Sequence, residues 1–185
     1  MTKLERITSR TTCFTAKNVD TDQIIPARFL KRIDKTGFGD HLFADLQPAD
    51  VIDVPDARKR EILITGPNFG CGSSREHAVW AIRDFGFRVL ISTSFADIFK
   101  ENSLKNGVLT IELDEQTHAK LVETFQKSPE AEMTVDVPSQ TVDFAGVRTS
   151  FKINSFSKTC LLEGLDELGY ILRYEPQIAA FEKAR

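Results

Sequence analysis

Residues 61–77 read E-I-L-I-T-G-P-N-F-G-C-G-S-S-R-E-H, and this stretch decides the predicted fold. In its first five residues, Glu61 is followed by a short run of mostly apolar and β-branched residues, which predicts a short buried strand. After the glycine-rich turn, apolar side chains recur at helical spacing, at Ala78, Ala81, Ile82 and Phe85. Gly86 then stands where a helix stop favours glycine. The stretch predicts a strand, a turn and a helix, the repeating unit of an α/β fold.

The turn itself favours an anionic ligand. Ser73 and Glu76 stand three residues apart, so we expect Ser73 to cap the helix and Glu76 to complete a capping box. Glycine backbone and helix-start amides carry partial positive charge. Arg75 adds a positive side chain where the helix dipole favours acids. From these residues alone, a catalytic site and a plain cap beside a solvated arginine both remain open.

The composition limits the class of protein. The chain has 185 residues, 41% of them hydrophobic, which suits one substantial core and predicts a single domain over residues 1–185. The net charge is −3 with both signs well mixed, so neither nucleic acid nor an anionic membrane surface is an expected partner. No apolar run approaches the roughly 20 residues of a membrane span, and residues 1–6 lack the apolar core of a signal peptide. We therefore expect a cytoplasmic protein.

The cysteines predict no disulfide framework and no metal site on this chain. Cys13, Cys71 and Cys160 are odd in number, far apart and without a C-x-x-C pair. Cys71 lies between two glycines, but no histidine is placed to activate it. We therefore expect a small buried thiol rather than a nucleophile.

The rest of the chain mixes helices and strands. Strands are predicted at 8–14, 88–92 and 108–112, and helices at 95–105 and from Asp114 to about 127. An antiparallel β-meander is predicted at 133–137, 140–144 and 147–153, followed by one final helix capped by Ser155. Residues 35–40 are expected to form an exposed loop. The expected fold class is α/β, with mixed sheets flanked by helices and an added antiparallel piece.

Two further groups of residues stay ambiguous from their spacing. Asp20-Thr21-Asp22 has the carboxylates of a metal or catalytic pair, but an Asx-type turn explains the same residues more simply. Phe29, Leu30 and Phe38 line a pocket in one interpretation and belong to the core in the other.

Five stretches together carry a resemblance to a known family: 66–78 (G-P-N-F-G-C-G-S-S-R-E-H-A), 18–26 (N-V-D-T-D-Q-I-I-P), 36–43 (T-G-F-G-D-H-L-F), 94–107 (S-F-A-D-I-F-K-E-N-S-L-K-N-G) and 160–170 (C-L-L-E-G-L-D-E-L-G-Y). In them the chain resembles the swivelling domain of the aconitase superfamily, and is most similar to the small subunits of isopropylmalate isomerases. The resemblance implies a β/β/α swivelling domain that closes over a large partner subunit in a heterodimer.

The same resemblance implies a reaction. The family isomerises 2-isopropylmalate and 3-isopropylmalate by dehydration to 2-isopropylmaleate and rehydration, in leucine biosynthesis. A four-iron four-sulfur cluster is expected on the large subunit and none on this chain. Alternatives are the small subunit of a related isomerase, acting on citraconate, homoaconitate or dimethylmalate, or a non-catalytic regulatory domain that binds an anion.

Site residues follow from the resemblance, position by position. Ser73 matches the catalytic base and would act as an alkoxide. Arg75 matches the arginine that grips a substrate carboxylate. Ser74 would contribute an amide or hydroxyl to the same loop. Asp22 matches an active-site aspartate and is expected to take part in catalysis by orienting substrate or a neighbouring group. Thr21, beside it, is expected to bind substrate.

A second segment is expected to read the substrate's isopropyl group. Its apolar residues are Ile25, Phe29 and Leu30, and one of the basic residues Arg28, Lys31 and Arg32 is expected to contact substrate. The region around 31–39 is expected to be mobile without a partner.

Overall fold

The computed structural model describes residues 1–30, 36–46 and 57–184. Its strands are β1 (Arg6–Phe14), β2 (Ile62–Thr65), β3 (Val89–Ser92), β4 (Leu109–Glu112), β5 (Glu132–Asp136), β6 (Thr141–Phe144) and β7 (Val147–Ser150). Its α-helices are α1 (Thr21–Ile24), α2 (Glu76–Phe85), α3 (Asp97–Lys105), α4 (Glu115–Lys127), α5 (Ser155–Glu163), α6 (Glu167–Leu172) and α7 (Glu175–Lys183). Short 3-10 turns lie at Ala27–Phe29, Gly39–His41 and Ala57–Lys59. The expected α/β class and the predicted meander are confirmed.

One mixed sheet of seven strands has the order β4-β3-β2-β1-β5-β6-β7. Strands β1 to β4 are parallel neighbours, and β5 to β7 continue the sheet antiparallel. The long strand β1 belongs to both parts. Its residues 11–14 pair with β2, whereas its residues 6–10 pair with β5.

The parallel strands are buried on both faces, which explains their uninterrupted apolar sequence. Leu63 and Leu90 point into a cluster with the apolar faces of α2 and α3. Their neighbours Ile62 and Ile64 point into a second cluster with Leu121 of α4 and the inner face of the meander. The sheet therefore forms a middle layer, and the loops at its carboxyl edge lie between core and solvent.

The C-terminal region differs from the prediction. One helix capped by Ser155 was expected, but Asn154 is the cap, accepting a hydrogen bond from the amide of Ser157 at 2.7 Å. Gly164 then adopts a left-handed conformation (φ 72°) that ends α5, and α6 and α7 follow. These last two helices expose large apolar side chains, including Leu168 and Phe181.

The expected exposed loop at 35–40 is largely wrong for the residues described. Phe38 has no exposed surface and packs in the core beneath α2. The carboxylate of Asp84 accepts hydrogen bonds from the amides of Gly37 and Gly39, each at 2.8 Å. The predicted mobility of 31–39 stays a prediction, although these two bonds hold residues 37 and 39 to α2, and residues 31–35 lie outside the described ranges.

The structure also bears on the predictions about cysteines and about membrane-spanning helices. Cys13, Cys71 and Cys160 are all free thiols. Within the described ranges, no helix combines the length and apolar composition needed to cross a membrane.

Candidate active site at the carboxyl edge of the parallel strands

Three segments meet beyond the carboxyl ends of β1, β2 and β3, where open α/β sheets place their ligands. They enclose a cleft of about 240 Å³. The walls come from the start of α1, the β2–α2 loop and the start of α3: Thr21, Gly70, Gly72, Ser73, Ser74, Arg75, Ala96, Asp97, Ile98 and Phe99. Four predicted site residues, Thr21, Ser73, Ser74 and Arg75, thus share one cleft.

A row of hydrogen bonds ties the β2–α2 loop to the segment after β1. The amide of Asn18 donates to the carbonyl of Pro67 at 3.0 Å, and the amide of Gly70 donates to the carbonyl of Val19 at 2.8 Å. The amide of Thr21 then donates to the carbonyl of Cys71 at 3.0 Å. These three bonds therefore hold the β2–α2 loop alongside the segment that follows β1.

Gly70 is required by the close approach of α3. A Cβ built there would lie 2.1 Å from the ring of Phe99, and the residue has φ +77°. Both the space and the backbone conformation exclude a larger residue without rearrangement. The glycine-rich sequence thus allows the loop to pack directly on α3.

The prediction that Ser73 caps α2 is wrong. Helix α2 begins at Glu76, and its N-cap, Arg75, makes no side-chain capping bond. The carboxylate of Glu76 instead accepts hydrogen bonds from Asn106 at 2.8 Å and Trp80 at 3.3 Å. Ser73 is exposed, and its hydroxyl has no hydrogen-bond partner among the described residues. A hydroxyl without a capping role is available to a ligand.

A capping box is present at the start of α1 rather than at the start of α2. Asp20 caps α1 through a bond from the amide of Gln23 at 2.8 Å, and the Gln23 side chain accepts from the amide of Asp20 at 3.0 Å. The predicted Asx-type turn at residues 20–22 is therefore the first turn of a helix. Its cap fixes the residues that face the cleft.

Arg75 and Asp22 form an ion pair at the mouth of the cleft. Nη1 of Arg75 donates to the carboxylate of Asp22. That hydrogen bond lowers the pKa of Asp22, against a smaller opposing effect of desolvation. Among the described residues, Nε and Nη2 of Arg75 have no acceptor. One side of the guanidinium is thus held by protein, and the other can bind a carboxylate.

Thr21 is almost fully buried beside Ser73, at 3% exposure. Its hydroxyl donates to the carbonyl of Ser73 at 2.9 Å. Ser74 is exposed on the loop between Ser73 and Arg75.

The residues expected to read an isopropyl group do not line this cleft. Ile25 has no exposed surface and belongs to the core, so a direct part in reading the substrate is not supported. Phe29 and Leu30 pack partly buried against that core. The Phe29 ring stacks on His41, with centroids 3.9 Å apart. Arg28 forms an ion pair with Asp45, whereas Lys31 and Arg32 lie outside the described residues.

Cys71 is half-buried rather than buried, which corrects the prediction. Its thiol contacts the carbonyl of Asn18 at 3.3 Å. Desolvation, and secondarily the negative charge of Asp20, raises the pKa of this thiol. A raised pKa disfavours the thiolate, so Cys71 is poorly suited to act as a nucleophile.

Sequence reasoning missed Asp97 and Ile98 as residues of the cleft. Ile98 is 52% exposed at its rim, an unusual position for a large apolar side chain. The only signal in the sequence was the family-like stretch at 94–107, because no local spacing links α3 to the β2–α2 loop.

A second hollow of about 250 Å³ lies between α3 and α5–α6. It shares no residue with the cleft. Its charged lining residues are Lys105 and three acids, Glu101, Asp166 and Glu167, and it has no arginine or histidine. The candidate site is therefore the cleft, where an arginine and an exposed hydroxyl coincide.

Comparisons with known proteins show the family of the chain. The model of the aconitase C-terminal domain family matches residues 1–116. The chain is 52% identical over 170 residues to the 3-isopropylmalate dehydratase small subunit of Rubrobacter xylanophilus, covering 91% of this chain and 87% of that protein. It is 48% identical over 194 residues to the small subunit of the same name from Anaeromyxobacter dehalogenans strain 2CP-1, covering 100% of both.

A solved structure has the same fold. The crystal structure of 3-isopropylmalate dehydratase from Methanocaldococcus jannaschii superposes with a TM-score of 0.70 at 26% identity, covering 96% of this chain and 99% of that one. The sequence resemblance and the expected fold are confirmed. The chain belongs to the aconitase C-terminal domain family, among the small subunits of 3-isopropylmalate dehydratase.

Proposed function

We propose that this chain is the small subunit of a hydro-lyase that interconverts 2-isopropylmalate and 3-isopropylmalate through 2-isopropylmaleate, in leucine biosynthesis. The observation that carries the proposal is the meeting of Ser73 and Arg75 at one cleft. Among the described residues, the Ser73 hydroxyl has no hydrogen-bond partner, and Nε and Nη2 of Arg75 have no acceptor. A dicarboxylate with an acidic C–H needs both a base and a carboxylate clamp.

In this proposal Ser73 removes the proton from the carbon next to a substrate carboxylate. A serine hydroxyl is too weakly acidic to act unaided at neutral pH, so the site must stabilise its anionic form. Arg75 supplies positive charge two residues away, and the first amides of α2 lack intrahelical acceptors and carry partial positive charge. Ser73 then returns the proton when water adds back to the double bond.

Arg75 binds a carboxylate of the same substrate through the side of the guanidinium that Asp22 leaves open. Its planar fork matches the two oxygens of a carboxylate. Asp22 keeps the fork oriented while the substrate is absent. Ser74 contributes its exposed hydroxyl or amide to the same carboxylate.

The partner in this proposal is a large subunit that carries the iron–sulfur cluster. In the described part of the chain, no three His, Cys, Asp or Glu side chains are grouped to hold a metal ion. The three cysteines lie on β1, on the β2–α2 loop and on α5, so their placement does not fit a cluster. In this proposal the cluster on the large subunit would take the substrate hydroxyl, and no residue of this chain is assigned to that step.

Two further parts of the proposal concern the chain as a whole. Residues 1–185 act as one swivelling unit, because β1 is common to both parts of the sheet. The location is cytoplasmic, which agrees with three free thiols in a reducing compartment.

Reconstitution tests the proposal. The chain is mixed with a cluster-loaded large subunit, and isopropylmalate-dependent formation of the unsaturated diacid is followed by ultraviolet absorbance. We expect activity from the mixture, and a fall in kcat of about 10²–10⁴-fold in Ser73→Ala. Ser150→Ala, on the exposed strand β7, is the matched control. Full activity in Ser73→Ala would overturn the assignment of the base, and binding of isopropylmalate without turnover would favour the regulatory alternative.

A further inference from the structure

We infer that Thr21 is a positioning residue for Ser73 and does not itself bind substrate. The inference rests on the proposed function, since it assigns to Thr21 the placement of the proposed base. The sequence predicted a substrate contact for Thr21, and the geometry points to a different role.

The only proton of the Thr21 hydroxyl is already used in a hydrogen bond. Oγ1 donates to the carbonyl of Ser73 at 2.9 Å, and the side chain is only 3% exposed. A substrate carboxylate requires a hydrogen-bond donor, and a hydroxyl supplies just one. Thr21 therefore has none left to offer to the dicarboxylate that the cleft is proposed to bind.

Thr21 holds the loop at two alternate residues. Its amide donates to the carbonyl of Cys71 at 3.0 Å while its hydroxyl holds the carbonyl of Ser73. The residue between them, Gly72, has φ +83° and would place a Cβ no closer than 3.3 Å to any neighbour. That distance leaves little room for a side chain at Gly72, and the two bonds from Thr21 restrict the backbone on either side of it.

No other hydrogen bond holds the Ser73 backbone among the described residues. Helix α2 begins only at Glu76, and its N-cap makes no side-chain bond, so the helix does not extend its order to Ser73. The following contact in the chain is the ion pair of Arg75 with Asp22. Without the Thr21 hydroxyl, the segment from Gly72 to Ser74 is free to rotate, and Oγ of Ser73 leaves its place relative to Arg75.

The kinetic consequence differs from that of a lost substrate contact. Misplacing a reacting group by about 1 Å can cost roughly 10²-fold in rate. A substrate contact that is equal in ground and transition states appears instead in KM. The two roles of Thr21 are therefore separated by which constant changes.

The test compares Thr21→Val with Thr21→Ser in the reconstituted enzyme. Valine keeps the shape of threonine and loses the hydroxyl, whereas serine keeps the hydroxyl and loses the methyl group. We expect Thr21→Val to lower kcat by about 10–100-fold with KM changed less than about threefold, and Thr21→Ser to recover most of the rate. The matched control is Thr124→Val on α4, which removes a similar hydroxyl-to-carbonyl bond far from the cleft.

Two kinetic results would overturn the inference. A raised KM with unchanged kcat in Thr21→Val would restore the substrate contact. A loss in Thr21→Ser as large as that in Thr21→Val would assign the effect to methyl packing. Affinity of each variant for the large subunit, measured by titration, separates a catalytic defect from loss of the complex.

A second readout does not depend on activity. Protection from amide hydrogen exchange in the isolated full chain is expected to fall at positions 21 and 70, whose amides bond the loop to the segment after β1, in Thr21→Val and to stay near wild type in Thr21→Ser. Unchanged protection at both positions would contradict the positioning role even if the enzyme reaction were something else. Conversely, faster exchange together with an inactive wild-type mixture would refute the proposed function and leave the loop contact standing.

Discussion

The carboxylate of Asp22 accepts a hydrogen bond from Nη1 of Arg75, although 53 residues of sequence separate the two. The contact joins the first turn of α1 to the N-cap of α2. It brings together two residues that the family resemblance placed in the site separately. Because Asp22 occupies only one nitrogen, the pair can orient Arg75 without blocking it.

Removing the Asp22 carboxylate should lower the catalytic efficiency more than the free energy of unfolding. We expect Asp22→Ala to lower kcat/KM by about 10–100-fold, because the guanidinium loses the group that orients it. The free energy of unfolding should fall by no more than about 1 kcal/mol, because Asp22 is largely exposed. Urea unfolding and steady-state kinetics measure the two effects. Loss of stability in proportion to activity would contradict a positioning role.

The pH profile should carry no step from Asp22 near neutrality. Arg75 lowers the pKa of Asp22, so the carboxylate is charged above its ordinary pKa of about 4. The stabilising pair is present at higher pH and is lost as pH falls through the lowered pKa. Wild type and Asp22→Asn should therefore have parallel kcat/KM profiles between about pH 5 and 8. A wild-type inflection in that range that is absent from Asp22→Asn would contradict this assignment.

Gly70 and Gly146 form a matched pair for testing the packing of the loop on α3. Both have positive φ, but a Cβ at Gly70 would meet the Phe99 ring at 2.1 Å, whereas Gly146 has no described neighbour within 4 Å of such an atom. We expect Gly70→Ala to cost about 2–4 kcal/mol and Gly146→Ala about 1–2 kcal/mol in urea unfolding. Equal costs would show that the backbone conformation alone explains the glycine at position 70.

Cys71 should prove dispensable for chemistry. Because desolvation raises the pKa of its thiol, alkylation by iodoacetamide at pH 7.5 should be slower than that of an unstructured cysteine peptide, and it should still be rising above pH 9. Cys71→Ser should retain activity within about threefold, since no step depends on a thiolate. Mass spectrometry of the alkylated peptide assigns the rate to this residue. Rapid labelling at neutral pH would contradict the geometry.

Phe29 and Leu30 remain candidates for reading the isopropyl group. Both pack against the core near the cleft rather than in its wall, so any effect should fall on substrate preference. We expect the double change Phe29→Ser, Leu30→Ser to lower kcat/KM for isopropylmalate by about tenfold more than for citraconate, which lacks the branched group. An unchanged preference, with the complex still forming, would exclude these side chains from specificity.

Local sequence patterns predict most helices and strands, but they give the wrong junction between the β2–α2 loop and α2. Residues 62–65, 89–92 and 109–112 are largely apolar, and each forms a strand that is buried except at Glu112. Ser73 and Glu76 had the spacing of a capping box, yet Thr21 holds the Ser73 carbonyl outside the helix. That bond spans 52 residues and has no local signature. By contrast, the capping box that does form, between Asp20 and Gln23, has the same three-residue spacing but was not predicted.

The break between helices α5 and α6 is marked in the sequence by residues that end and begin helices. Gly164 stops α5 in a left-handed conformation, and Asp166 then caps α6. Both are ordinary stop and start residues, so the break was predictable. The cleft was not predictable from spacing, because its walls come from segments near residues 21, 73 and 98 that only the sheet order brings together.

Strand β1 has a consequence for truncated forms of the chain. The family model ends at residue 116, before the meander begins at Glu132. A fragment cut there would keep the parallel strands, but the Arg6–Arg10 half of β1 would lose β5 and present its amides and carbonyls to solvent. Unpaired edges of this kind recruit strands from other molecules. The meander therefore occupies a strand edge that would otherwise be open to aggregation, and so protects the half of the sheet that bears the cleft.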